Sequence, residues 1–181
     1  MDLFMYSLVL CIVICIILIC YINIFNRFQS CIIRINEAEA NIDSTLRKRF
    51  DLLNKSIGII KANTDIDKDI LGIIVKLRSR KLTNFELDRQ LYEAINEFNK
   101  YKEEYPELKN SESFLKIDIG LNETETDIYA YRKYYNDIIT DYNKLVRAFP
   151  SNIVSKICKF KERTYFDGKN MNDEIYNDFK L

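Results

Sequence analysis

The sequence predicts an all-α protein in which an N-terminal transmembrane helix continues into an antiparallel four-helix bundle. Three observations lead to this prediction. The chain of 181 residues contains only four Gly and two Pro, too few for a turn-rich β-sandwich. Residues 3–25 carry no charge. Beyond them, apolar residues recur at spacings of three and four, which is the period of a helix with one buried face.

The membrane anchor is predicted over residues 1–26. Its apolar run, LFMYSLVLCIVICIILICYINIF, covers residues 3–25 and would form a helix of roughly 34 Å, enough to cross a hydrocarbon layer of about 30 Å. A cleaved signal peptide is the competing interpretation. It would need a positive segment before the run and a small-residue cleavage site after it, and the sequence has neither.

The charges beside this helix predict its orientation. No Lys or Arg precedes the apolar run, whereas Arg27 and Arg34 follow it, so the positive-inside rule places the C-terminal part in the cytoplasm. The opposite topology stays open as an alternative. Of the five cysteines, only Cys31 and Cys158 lie outside the run. The sequence leaves open whether they form a disulfide, which an oxidising compartment would permit.

The predicted bundle covers residues 27–150. Because no Gly or Pro occurs before Gly58, the membrane helix is expected to run without a break into the first bundle helix and to end near Asn63. A second helix is predicted over residues 66–80. The inward positions of these two helices are Ile35, Ala38, Ile42, Leu46, Phe50, Leu53, Ile57 and Ile60, then Ile66, Ile70, Ile73, Ile74 and Leu77.

The third helix opens with a capping box formed by Thr83 and Glu86 and ends at Pro106. The fourth begins at Ser111 or Ser113 and ends at Pro150. Their inward positions are Leu87, Leu91, Ala94, Phe98, Tyr101 and Tyr105, then Phe114, Ile117, Leu121, Thr124, Ile128, Tyr131, Tyr135, Ile138, Tyr142, Leu145 and Phe149.

The fourth helix carries a heptad seam over five repeats, the strongest periodic pattern in the chain. Such a seam can also pair between chains as a coiled coil, so a homo-oligomer is an alternative. Packing within one chain is favoured because three other apolar stripes can cover the seam. Residues 151–181 are predicted to be a short helix, with Ile153, Val154, Ile157 and Phe160 packed, and a tail that is flexible beyond Asp167.

Composition excludes several functions. Because 27 Lys and Arg balance 27 Asp and Glu, the chain lacks the basic excess of a general nucleic-acid binder. Histidine is absent, which excludes a Ser-His-Asp triad, a Cys-His pair and a His-ligated metal. The sequence predicts no cofactor and no metal site.

A series of short motifs extends over about residues 25–155. They are Phe25-Asn26-x-Phe28, Ala38, the block Ile42 to Leu53, Tyr105-Pro106-Glu107-Leu108-Lys109, Phe114-Leu115, Glu123-Thr124-Glu125, Ile128, Arg132, Tyr135-Asn136-Asp137, Tyr142-Asn143 and Phe149-Pro150. Their order and spacing resemble those of the LemA family. This resemblance implies a single-pass bacterial membrane protein with a helical bundle. It implies no reaction, and the association of some family members with magnetosome membranes points to membrane organisation.

Two groups of residues are candidates for an interaction surface. The basic triplet Arg47, Lys48 and Arg49 is predicted to pair with acidic residues of a neighbouring helix, such as Glu123 or Glu125, and secondarily to bind a partner. Tyr129 and Tyr134 lie off the seam of the fourth helix and are candidates for a surface that meets another protein.

The sequence therefore favours a membrane-anchored scaffold or adaptor that acts through protein–protein interaction and is not an enzyme. One alternative is an extracytoplasmic sensor or ligand-binding module. Another is a metal-dependent enzyme, which would require carboxylates that face one another across the bundle core.

Overall fold

The structure, a computed structural model, describes residues 2–63, 82–106 and 111–168. Over these residues the chain forms α-helices and no strand: α1 (Asp2–Asn63), α2 (Asn84–Glu104), α3 (Glu112–Arg147) and α4 (Ser151–Ile157). The all-helical class is confirmed. The predicted second helix over 66–80 and the predicted flexible tail lie outside the described residues, so a bundle of four helices stays a prediction.

α1 is one continuous helix of 62 residues, as the sequence predicts. Every described side chain from Phe4 to Cys20 is exposed, so this part of the helix presents an apolar surface on all sides. It is long and apolar enough to cross a membrane. Farther along, the helix becomes amphipathic and contributes one buried face, which begins at Phe28.

Contacts divide the chain into two compact units. We call Met1–Glu37 with Tyr135–Leu181 the terminal unit and Ala38–Tyr134 the central unit. α1 and α3 each contribute to both units. The sequence-based division into an anchor, a bundle and a tail at residues 26 and 150 stays a prediction.

In the central unit, α3 runs antiparallel to α1. Arg49 of α1 pairs with Glu125, and one turn later Leu52 lies against Gly120, so residue numbers fall along α3 as they rise along α1. A Cβ on Gly120 would stand 3.0 Å from a Leu52 methyl carbon. The glycine therefore permits a close approach of the two helices.

α3 also runs antiparallel to α2. Asp88, near the start of α2, pairs with Arg132, whereas Lys102 in its last turn pairs with Asp118 at 2.9 Å. The three helices enclose an apolar core whose buried members are Ala38, Ile42, Leu46, Leu53, Leu91, Ala94, Phe98, Phe114, Ile117, Leu121 and Ile128. All of these were predicted as inward positions.

α2 corresponds to the third helix that the sequence predicts, and both of its predicted ends are confirmed. The backbone N–H of Thr83 donates to the Glu86 carboxylate at 2.9 Å, and the N–H of Glu86 donates to the Thr83 hydroxyl oxygen at 3.2 Å. This is the reciprocal arrangement of a capping box, which satisfies two N–H groups that lack partners within the helix. α2 ends at Glu104, two residues before Pro106.

The core of the terminal unit is built around Phe28 of α1. Its ring meets the ring of Tyr142 edge-on at a centroid distance of 5.8 Å, and it lies 4.7 Å from the ring of Phe160. Tyr142 was predicted to face inward and is buried. Phe149 was also predicted inward, and this is wrong: it is 80% exposed because α3 ends at Arg147 and the seam does not continue beyond it.

α4 forms as predicted, but its apolar residues divide between two faces. Val154 is buried, and Phe160 packs against α1. Ile153 and Ile157 were expected to pack, whereas they are 50% and 63% exposed. The inward face is built instead from the small residues Ser151, Val154 and Ser155.

Residues 159–168 follow α4 as a non-helical segment, which we call the strap. Its backbone is fixed to α3 by two asparagine side chains. The buried Asn143 donates to the carbonyl oxygen of Arg163 at 2.8 Å and accepts from its N–H at 2.9 Å. Asn136 accepts from the N–H of Phe166 at 3.0 Å. A bidentate pair between Arg147 and Glu162 adds a charged contact at 2.6 and 2.9 Å.

The two cysteines outside the apolar run are free thiols and lie apart. Cys158 contacts the hydroxyl of Tyr21 at 3.3 Å. Cys31 is ten residues farther along α1, a rise of about 15 Å, whereas a disulfide needs Cα atoms within about 7 Å. The structure therefore does not support the Cys31–Cys158 disulfide that the sequence left open.

Candidate functional site

A cluster of charged side chains lies inside the central unit. Arg49 of α1 donates to Asp88 of α2 at 3.2 Å, to the Glu125 carboxylate of α3 at 2.7 Å and to the Thr124 hydroxyl at 3.3 Å. Arg132 of α3 pairs with the second oxygen of Asp88. We call these five residues the arginine cluster, and they join all three described helices of the unit.

Burial sets the electrostatics of the arginine cluster. The side chains of Arg49 and Asp88 are 1% and 2% exposed, whereas that of Glu125 is half exposed. Removal from water lowers the pKa of Arg132 to about 10, with a further contribution from the positive charge of Arg49. Arg132 therefore still carries its charge at neutral pH. Two positive and two negative charges then balance inside the cluster, as buried charges require.

The apolar pattern alone did not identify Asp88 or Arg49 as core residues. On α2 the seam was assigned to Leu87, but Leu87 is half-buried and Asp88 takes the inward position three residues before Leu91. On α1 the seam was assigned to Phe50, which is likewise half-buried. The spacing itself was a signal, because Arg49 and Asp88 each stand three residues from a core leucine.

The basic triplet behaves largely as predicted. Lys48 pairs with Glu123 at 3.6 Å and Arg49 with Glu125, which confirms the predicted pairing across helices. Arg47 instead pairs with Asp43 at 2.8 Å, one turn earlier on the same helix. Because Arg49 is buried, it cannot belong to an exposed interaction surface, and only Arg47 and Lys48 remain available for one.

The two tyrosines differ in their environment. Tyr129 is 66% exposed, whereas Tyr134 is half-buried. Tyr129 shares an outward face of α3 with Leu115 and Ile119, which are 44% and 58% exposed. Spacings of four and ten residues place these three side chains along one side of the helix. We call them the α3 stripe.

The arginine cluster is suited to holding helices together. Its buried carboxylate, Asp88, pairs with two guanidinium groups, and the second carboxylate, Glu125, pairs with one of the same two, Arg49. Within residues 2–63, 82–106 and 111–168, no group of three or more potential ligands could hold a metal ion. The fixed geometry of the guanidinium donors instead specifies how α1, α2 and α3 align.

Comparison with known proteins gives a consistent family match. The model of the LemA family matches residues 38–177. Protein LemA of Metamycoplasma hominis is 27% identical over 130 residues, which cover 67% of this chain and 59% of the relative. The aligned part thus spans a little over half the length of that relative.

Proposed function

The chain belongs to the LemA family, and we propose that it is a membrane-anchored scaffold or adaptor that binds other proteins, or further copies of itself, through the α3 stripe. The observation that carries this proposal is the exposure of three large apolar side chains, Leu115, Ile119 and Tyr129, on one side of a helix whose other side is core. Large apolar side chains aligned along one face of a helix can anchor a partner; Ile119 and Tyr129 stand about 15 Å apart along α3.

Membrane anchoring rests on the first part of α1. The run from Phe4 to Cys20 exposes apolar side chains in every direction, a pattern suited to lipid and unfavourable in water. Arg27 and Arg34 are the first basic residues after it, so we place the C-terminal part in the cytoplasm.

Orientation can be measured in intact cells with a membrane-impermeant maleimide. Asp127→Cys adds a thiol at an exposed position, whereas the native cysteines lie in the apolar run, are buried or are half-buried. A cytoplasmic domain requires that this thiol react only after the cells are opened. Labelling before lysis would place the domain outside and favour the sensor alternative.

Action through binding fits the chemistry of the central unit better than catalysis. A general acid or base needs a carboxyl group that reaches substrate, usually in a cleft. Asp88 is enclosed between two guanidinium groups, with 2% of its side chain exposed, so it is placed to hold structure.

The proposal is tested by site-specific photocrosslinking in intact membranes. The full-length chain carries benzoylphenylalanine in place of Tyr129, or in place of Asp127 as a matched control on another face of α3. We expect a discrete adduct from position 129 and none from position 127. An adduct of about twice 21.5 kDa would identify a second copy of the chain.

A second variant separates specific binding from chance contact. Ile119→Lys places a charge in the α3 stripe without touching the core, because Ile119 is 58% exposed. It should abolish the adduct from position 129. Equal adducts from positions 127 and 129, or an adduct that survives Ile119→Lys, would contradict the proposal.

A further inference from the structure

The outward face of α4 is apolar. Phe149, just before the helix, is 80% exposed, and Ile153 and Ile157 are 50% and 63% exposed. Ile153 and Ile157 stand four residues apart on one side of α4, and we call these two residues, together with the exposed Phe149 before the helix, the α4 patch. The opposite face uses the small residues Ser151 and Ser155 against the core. The larger apolar side chains thus point away from the protein, the reverse of the usual amphipathic arrangement.

Two contacts fix the level of α4 along α1. Cys158, the residue that follows α4, contacts the hydroxyl of Tyr21 at 3.3 Å. Phe160 lies 6.1 Å from Phe25 between ring centroids. Tyr21 and Phe25 both belong to the uncharged run of residues 3–25, and Arg27 is the first charged residue after it. The end of α4 therefore lies beside the last turns of the membrane-length apolar segment.

The charge of the surrounding sequence suits a lipid surface. Residues 142–163 contain six basic residues and one acidic residue, a net charge of +5. Among these, Lys156, Lys159 and Lys161 are exposed. Lysine side chains extend their apolar stems along a membrane surface while their ammonium groups stay near anionic headgroups.

From this juxtaposition we propose that the α4 patch inserts into the headgroup boundary of the same bilayer that α1 crosses, with the exposed lysines at anionic headgroups. The inference rests on the membrane anchoring proposed above. The occupant of the patch is lipid because its Ile157 end adjoins Cys158, which contacts Tyr21 in the last turns of the apolar run of α1. An interfacial helix of this kind buries its apolar side to the depth of the boundary between headgroups and acyl chains.

The absence of tryptophan from the chain makes a direct test possible. The full-length protein with Ile157→Trp is reconstituted into vesicles of phosphatidylcholine and phosphatidylglycerol, and emission is excited selectively from the single tryptophan. We expect a blue-shifted emission that is quenched by phosphatidylcholine brominated on its acyl chains and not by aqueous iodide.

Tyr92→Trp is the matched control, since Tyr92 is 49% exposed on α2 in the central unit. Its emission should be red-shifted, quenched by iodide and unaffected by brominated lipid. Far-UV circular dichroism of both variants checks that the helices are retained. We expect them to be retained because both substituted side chains are exposed.

Each outcome decides the proposal. Iodide quenching of Ile157→Trp would show that water covers the patch, and protection from both quenchers would show that protein covers it; either result overturns the inference. Vesicle flotation in the same samples separates this failure from failure of the anchor. Protein that does not float with vesicles contradicts the anchoring itself, whereas protein that floats without lipid quenching contradicts only the α4 contact.

Discussion

Replacement of Asp88 by Ala should destabilise the central unit more than any exposed charge change. Asp88 is the carboxylate that two guanidinium groups share, and its side chain is 2% exposed. Its removal takes the shared carboxylate from both guanidinium groups and leaves Arg49, which is 1% exposed, paired with the half-exposed Glu125. Both the lost attraction and the remaining repulsion lower the free energy of unfolding.

The magnitude follows from distance and burial. Two unit charges about 4 Å apart attract by about 4 kcal/mol at an effective dielectric constant of about 20. The guanidinium groups stay desolvated after the substitution, and breaking a buried pair in this way typically costs about 3–5 kcal/mol. We therefore expect Asp88→Ala to lower the free energy of unfolding by about 3–5 kcal/mol.

The assay is urea denaturation of the full-length protein in detergent, followed by circular dichroism at 222 nm. Asp127→Ala is the matched control, because Asp127 is an exposed carboxylate on α3 and its loss should change stability by less than about 0.5 kcal/mol. Equal stabilities of the two variants would refute the reasoning. A double-mutant cycle with Arg49→Met then measures the coupling, which should be non-zero because the two groups are in contact.

Three further changes test other parts of the structure. Asn143→Leu removes two buried hydrogen bonds to the strap, so it should cost about 2–3 kcal/mol and expose the strap to trypsin in limited proteolysis. Hydrogen bonds from Arg147 lower the pKa of Glu162, so their contact stabilises the fold above the ordinary carboxyl pKa and is lost as the pH falls through the lowered pKa of Glu162. Hydrogen exchange should show lower protection of the strap at that pH, and Glu162→Gln should remove this pH dependence. Gly58→Ala should raise the free energy of unfolding by about 0.5–1 kcal/mol, because a Cβ there meets nothing within 4 Å. Gly120→Ala should raise it by less in the same urea titration, because a Cβ there is crowded by Leu52.

Much of the fold could be predicted because its signals are local. The continuity of α1 follows from the lack of helix breakers, and the start of α2 follows from the Thr83 and Glu86 pair, whose hydrogen bonds depend only on residues three apart. Most of the core of α3 follows from the heptad pattern, although Ile139 is buried outside the predicted seam and Tyr131 and Tyr135 are only half-buried. The prediction that Phe149 faces inward is wrong because periodicity indicates which face of a helix a residue lies on but not where the helix ends.

The arginine cluster was only partly predictable. Opposite charges suggested that Lys48 and Arg49 pair across helices, and they do. The role of Asp88 depends on three helices that bring it between two arginines, which a linear pattern does not record. A polar residue in a seam contradicts the apolar pattern until its partners are known.

The two attachment points of the strap on α3 are matched in spacing. Asn136 and Asn143 are two helical turns apart, about 10.5 Å. The strap residues they hold, Arg163 and Phe166, are three positions apart, about 10 Å in an extended chain. Both asparagines bond backbone atoms of the strap. A changed side chain at Arg163 or Phe166 would therefore leave these hydrogen bonds in place. A single residue inserted between Arg163 and Phe166 would shift one attachment point by about 3.3 Å and break its hydrogen bond.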